Sequence, residues 1–309
     1  MSGFSVVAEG LLFPEGPIAL SDGSVIVCEL QRGTLTSISP AGAATVIAET
    51  GGGPNGAAFG SDGAIYVAND GGFHFEMING INAPLGQAAD YSGGRIQRVT
   101  LDGKVEDLYT EVGGHPLRGP NDLVFDGHGG FYFTDSGNVR ARDSDHGGLY
   151  YALEDGSAIT EIAYPISGPN GVGLSPAGDR VYVAETMTGR LWYWDIESPG
   201  VLRPGSQFYA PAGGTLLHGL GGYLGFDSLK VDVDGNINVA TLFGEGAVST
   251  ISPQGTLLRT TPVPTHDPCV TNIAFGGPDL RTAYITSGGR GLLYRADWPV
   301  AGLPTLYVP

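Results

Sequence analysis

Short apolar runs, each bounded by Gly, Pro, Asn or Asp, recur along the chain. One pattern appears six times: a turn-forming tripeptide, a strand of four or five apolar residues, a turn, then a second strand. The copies read PEGPIALSDGSVIVCE from Pro14, PNGAAFGSDGAIYVAND from Pro54 and PNDLVFDGHGGFYFTDS from Pro120. They continue as PNGVGLSPAGDRVYVAET from Pro169, FDSLKVDVDGNINVAT from Phe226 and TNIAFGGPDLRTAYIT from Thr271. The second strand of each copy is β-branched and aromatic with little charge, as in Ile65-Tyr66-Val67 and Val181-Tyr182-Val183. Such a strand packs on both faces. The Asp-Gly pairs at Asp22, Asp62 and Asp234 predict tight hairpin turns, because Gly accepts positive φ.

Further amphipathic strands lie between the copies, for example over 95–100 and 104–110, and from 189. Four strands in about 51 residues make a propeller blade, so the chain is expected to be all-β: one six-bladed β-propeller over 1–309, with four antiparallel strands per blade. Long intervals place insertions at 71–94 and at about 198–225. A propeller closes its ring or exposes an edge. Two terminal segments can close it, 4–8 and 305–308, and the pattern does not choose between them.

Composition fits this plan: 52 Gly and 21 Pro without a collagen period, and only 15% charged residues. The net charge of −17 disfavours nucleic acid and anionic lipid as partners and suits cations. There is no apolar run of membrane-spanning length, and 1–9 lacks a basic-then-apolar leader. A cytoplasmic monomer is therefore expected. Cys28 and Cys269 belong to no C-x-x-C pair and read as reduced, small buried side chains.

The second residue of each tripeptide occupies one equivalent place, at the entrance of the innermost strand beside the axis. Those residues are Glu15, Asn55, Asn121, Asn170, Asp227 and Asn272. All carry oxygen and none is basic. Turn chemistry accounts for Asn after Pro. It does not account for Glu15, nor for two carboxylates meeting on one axis, which repel without a cation. Hard oxygen donors suit Ca²⁺, Mg²⁺ or Mn²⁺.

The ordered motifs resemble the SMP-30/gluconolactonase/luciferin-regenerating family over nearly the whole chain. They run from Glu15-Gly16-Pro17 through Pro120-Asn121-Asp122 with Tyr132-Phe133-Thr134-Asp135, and Pro169-Asn170-Gly171 with Val181-Tyr182-Val183-Ala184-Glu185-Thr186, to Thr271–Gly277. The resemblance implies a six-bladed propeller with one divalent metal on Glu15, Asn170 and Asp227, and Asn121 at the substrate. Ca²⁺ is the first expectation, with Zn²⁺, Mn²⁺, Mg²⁺ or Fe²⁺ as alternatives. Two positions depart from the family pattern. Ser228 follows Asp227 where Gly is usual, and Gly119 stands where a sugar-binding Arg is found, with Arg118 displaced by one.

The reaction implied is opening of a lactone ring by water, with the metal polarising the carbonyl and Asp227 as base. Arg118, Asp122, Asn55 and His74 are candidate substrate contacts. The segment 72–76 is a candidate aromatic lid, and Tyr223 and Phe226 precede Asp227. The other five histidines read as solvated turn residues, and Asp232–Asn236 as a hairpin turn rather than a calcium loop. No G-x-S-x-G, H-E-x-x-H or P-loop motif occurs. Three readings remain open: a sugar lactonase acting on a small aldonolactone, a lactonase or esterase for a non-sugar substrate, and a non-catalytic ligand-binding propeller.

Overall fold

The computed structural model describes residues 3–203, 205, 207 and 210–309. Each innermost strand begins at one of the six tripeptides: Pro14–Ala19, Pro54–Phe59, Pro120–Phe125, Pro169–Leu174, Gly225–Val231 and Val270–Gly276. Each packs on the innermost strand of both neighbouring blades, so the six form a ring. Outward from the axis, blade one continues through Val25–Glu29, Thr34–Ile38 and Ala44–Glu49, all antiparallel. The other blades repeat this order. In blade four the outer edge is shared by Val201–Arg203 and Thr215–Gly219, both paired to Arg190–Ser198. The predicted insertion at 198–225 lies here, and its residues 204, 206, 208 and 209 fall outside the described residues.

The ring is closed by the N-terminal strand. Phe4–Glu9 pairs antiparallel with Leu292–Asp297 at the outer edge of blade six. The C-terminal tail instead crosses the lower face, where Leu303 N–H donates to Val231 O at 3.0 Å and Ser21 Oγ to Pro309 O at 3.0 Å. The Tyr307 ring stands 5.7 Å from Phe125.

The second strands are the hydrophobic interior, as their composition predicts; Val25–Glu29, Ile65–Asn69 and Gly130–Asp135 are buried at every position. The core lies between blades. Ile26 and Leu35 of blade one, for instance, cluster with Phe59, Ile65 and Val67 of blade two. Each such side chain contributes roughly 1.5–3 kcal/mol. The Asp-Gly turns form as expected. Asp22 and Asp62 accept the amides of Ser24 (2.9 Å) and Ala64 (3.0 Å), with Gly23 and Gly63 at φ +85° and +77°. Asp232 is filled by the amides of Asp234 and Asn236 and by the side chains of Asn236 and Asn238, which makes this segment a turn. No helix among the described residues is long and apolar enough to cross a membrane.

In every blade the strand register slips at the tripeptide. A bulge at this place re-aims the side chain it carries. The residue after the axial one packs against the next blade's backbone. A Cβ on Gly56 would lie 2.6 Å from Asn121 O and Asp122 Cα, and one on Gly171 would lie 2.7 Å from Asp227 O. Gly56→Ala therefore forces two innermost strands apart. It is expected to lower stability by roughly 1–3 kcal/mol, seen as a lower urea midpoint at unchanged slope.

Candidate metal centre

The bulges bring the six predicted axial residues together at the upper end of the ring. Glu15, Asn55, Asn121, Asn170, Asp227 and Asn272 are all more than nine-tenths buried. Local backbone bonds engage Glu15, with Gly16 N–H, and Asn272, with Ile273 N–H, but leave the Asn55 and Asn121 oxygens unmet. Neighbouring blades lock the backbone of this set: Thr134 Oγ1 donates to Asn170 O, and Thr271 Oγ1 to Pro14 O at 2.8 Å.

Burial raises the Glu15 carboxyl well above its usual range, and the nearby Asp227 raises it further. Gly16 N–H at 3.1 Å and Asn272 Nδ2 at 3.2 Å only partly offset this. Asp227 is raised for the same first reason, eased by Asn170 and worsened by Asp122. The set therefore lacks positive charge. It also lacks donors, because the buried Asn55 Oδ1 and Asn121 Oδ1, in adjacent blades, have no hydrogen-bond partner. Leaving such an acceptor unmet costs about 1–3 kcal/mol. Asn170 Oδ1, by contrast, has Ser228 Oγ at 3.4 Å. Among the described residues no three of His, Cys, Asp and Glu converge as a metal-binding group. The donor set is thus two carboxylates with amide oxygens, a hard-oxygen site that fits a divalent cation.

Asp122 sits below Asn121, fully buried, with Oδ2 at 3.6 Å from Lys230 Nζ. Burial raises its carboxyl and Lys230 holds it down. Arg118 lies on the rim with its side chain exposed, and no hydrogen bond or ion pair engages its guanidinium among the described residues. Its backbone is clamped: Asp135 takes the Arg118 and Gly119 amides at 2.7 Å, while Tyr91 Oη and Asn138 Nδ2 donate to Arg118 O at 2.7 Å.

The early insertion folds as a hairpin, Phe73–Ile78 with Ile81–Gln87, turning through Asn79-Gly80 at positive φ. It leans across the upper face. Phe75 packs on Phe13 of the loop before blade one at 5.1 Å, Asn82 N–H donates to Gly289 O at 2.9 Å, and Arg290 Nη1 donates to Gly80 O at 3.1 Å. Gln87 N–H reaches Val139 O in blade three at 3.0 Å. His74 is exposed on this hairpin, 3.1 Å from Glu76. Phe226 is a core residue with no exposed surface, not a substrate contact, while Tyr223 is 80% exposed and stacks on Phe243 at 5.1 Å. Cys28 and Cys269 are unpaired, and Cys28 lies opposite Glu15 in the sheet.

Sequence reasoning missed a second equivalent set. Glu29, Asn69, Asp135 and Glu185 all stand opposite the Pro that opens their blade. Each clasps an upper loop; Glu29 takes Leu12 N–H and Glu185 takes Ser167 N–H. It also missed Asp70, next along from Asn69, whose buried Oδ2 is unpartnered and whose carboxyl burial pushes up to about 7. The signal for both was present: acidic or amide residues ending otherwise apolar second strands.

The chain is 30% identical to "Lactonase drp35" of Staphylococcus haemolyticus (strain JCSC1435) over 249 residues, 80% of this chain and 68% of that one. Other staphylococcal proteins of that name are matched over about half of their length. A calcium-binding protein, regucalcin, from Agrobacterium tumefaciens superposes with a TM-score of 0.76 at 19% identity, covering 100% of this chain and 97% of the other. A gluconolactonase from Xanthomonas campestris gives 0.73 at 19% identity, covering 96% and 89%. At those identities the superpositions show the fold. The model of the SMP-30/Gluconolactonase/LRE-like region matches residues 13–289, and the chain belongs to that family.

Proposed function

We propose that this protein hydrolyses a lactone at its axial centre, with Glu15, Asn170 and Asp227 holding one divalent cation. The observation that carries this reading is the pairing of two buried, charge-starved carboxylates with unmet amide acceptors on one axis. Family membership supports it, as do a relative named a lactonase and a fold neighbour described as calcium-binding. Ca²⁺ is accordingly the first candidate. When bound, the cation supplies Lewis-acid polarisation of the lactone carbonyl. Asp227 would accept a proton from the water that attacks the carbonyl carbon and return it to the ring oxygen as the ring C–O bond breaks. Glu15, held by Gly16 N–H and Asn272, balances charge without moving. Asn55 and Asn121 offer acceptor oxygens to substrate hydroxyls, and Arg118 offers a rim cation to a substrate oxygen. Asp122 acts from below through its charge. His74 can meet a substrate only where it leaves the rim.

A sugar lactone suits the acceptor oxygens. A second reading rests on the exposed apolar side chains of the upper loops, Met77, Ile78, Leu85, Val139, Met187 and Tyr223, which suit a lactone with an apolar ring substituent.

The reaction is checked by proton release from a panel of sugar and aryl lactones. Activity is expected to vanish with chelator and return with Ca²⁺. Asp227→Ala is expected to lower kcat roughly 10²–10⁴-fold, whereas unchanged turnover in that variant overturns the assignment. Silence across the whole panel with cation bound would favour a non-catalytic binding propeller. Higher kcat/KM for aryl than for sugar lactones selects the second reading.

Stability carries an independent test. Asp227 is raised to about 8 in the folded chain, from an ordinary 3.8. Between those values the folded state holds more protons than the unfolded one, so stability of the cation-free protein falls as pH rises from about 4 to about 8. Each tenfold gain in proton affinity on folding is worth about 1.4 kcal/mol, or roughly 2 °C in Tm for a domain of this size. Calorimetry is expected to show Ca²⁺ raising Tm more at pH 8 than at pH 5. Equal shifts would contradict cation binding at these carboxylates.

A further inference from the structure

Below the axial centre the same ring encloses a separate cavity of about 470 Å³, within the range of small-ligand sites. Its walls include Ile18, Val172, Val231 and Phe275, and the C-terminal tail contributes Leu303 and Leu306. The lining begins two residues beyond the axial positions, at Ala57, Leu123 and Val172, roughly 7 Å further along strands that rise about 3.3 Å per residue. The tight contacts at Gly56 and Gly171 lie in the layer between.

The charged groups on this lining are few. Asp126 is fully engaged, by His128 N–H at 2.7 Å and Gly130 N–H at 3.3 Å on one oxygen and by Tyr151 Oη at 2.7 Å on the other. His128 stands exposed at the edge. Lys230 is different. Its ammonium is ion-paired with Asp122 Oδ2 at 3.6 Å, and Asp122 is its one acidic partner among the described residues. An ammonium has three donors, so the one on this apolar lining keeps donors for a second acceptor. The exposed turn Pro176-Ala177-Gly178 lines the same cavity and opens it to solvent.

We propose that this lower chamber is a binding site for an amphipathic monocarboxylate, its apolar body between the strand walls and the tail, and its carboxylate on Lys230. Apolar burial and a charge-assisted hydrogen bond recognise the two halves of such a molecule. Neither half suffices alone, because acetate lacks the body and an alcohol lacks the charge. The site takes a different ligand from the axial centre, and the Lys230–Asp122 pair is the contact between the two.

Titration calorimetry of the full chain with octanoate tests this, with acetate and 1-octanol as controls. Octanoate is expected to bind at least about tenfold more tightly than either control. Lys230→Met, which keeps the apolar volume, is expected to weaken octanoate at least about tenfold, as loss of a charged hydrogen bond does. Because Lys230 also faces buried Asp122, a second variant leaves that pair intact: Ala177→Trp, on an exposed turn, is expected to block the mouth with a similar loss. Asp227→Asn is expected to leave octanoate affinity unchanged. The proposal is overturned if octanoate shows no binding at millimolar concentration, if 1-octanol binds equally well, or if binding survives Ala177→Trp but is lost in Asp227→Asn.

Discussion

Six innermost strands packed side by side around one axis impose the constraint on which everything else depends. Each carries a bulge at its upper end, and each bulge turns an oxygen-bearing side chain inward, where little of its surface meets solvent. Charge confined there must be matched, by protons or by a cation. The ring is closed because Phe4–Glu9 completes blade six. The axial groups therefore cannot relieve their repulsion by moving apart without breaking blade-to-blade packing.

Acidic residues near the upper face fall into two kinds, separated by what they accept. Asp135 takes three backbone amides and Glu185 takes Ser167 N–H, the Trp192 indole and Thr188. Carboxylates so engaged hold loops in place. Glu15, Asp227 and Asp70 are buried with fewer donors; burial raises their proton affinities, as it also raises that of Asp135. The donor-rich set stiffens the loops from which the donor-poor set is approached. The clamp on the Arg118 backbone, for example, leaves only its guanidinium free to respond to a substrate.

The two ends of the axis differ for the same structural reason. At the upper end the bulges gather polar side chains and the blade-two hairpin leans over them. Past the bulge the strands return to regular alternation, so apolar side chains point inward and the channel becomes an apolar chamber partly floored by the tail. Asp122 and Lys230 face each other between these environments.

The repeat itself was legible in the sequence, because turn residues and two-sided apolar strands recur at one period whatever their partners. The six axial residues were legible too, since equivalent positions in equivalent blades need no coordinates to be aligned. Closure by the N-terminal strand rather than the tail, the burial of Phe226 and the exposure of His74 were not, because each depends on which surface a segment meets. The same holds for the free oxygens of Asn55 and Asn121 against the engaged one of Asn170, and for Lys230 reaching Asp122 from another blade. A repeating pattern specifies local strands and the ring they make; hydrogen-bond saturation and charge balance are properties of distances between blades, which only the closed tertiary structure decides.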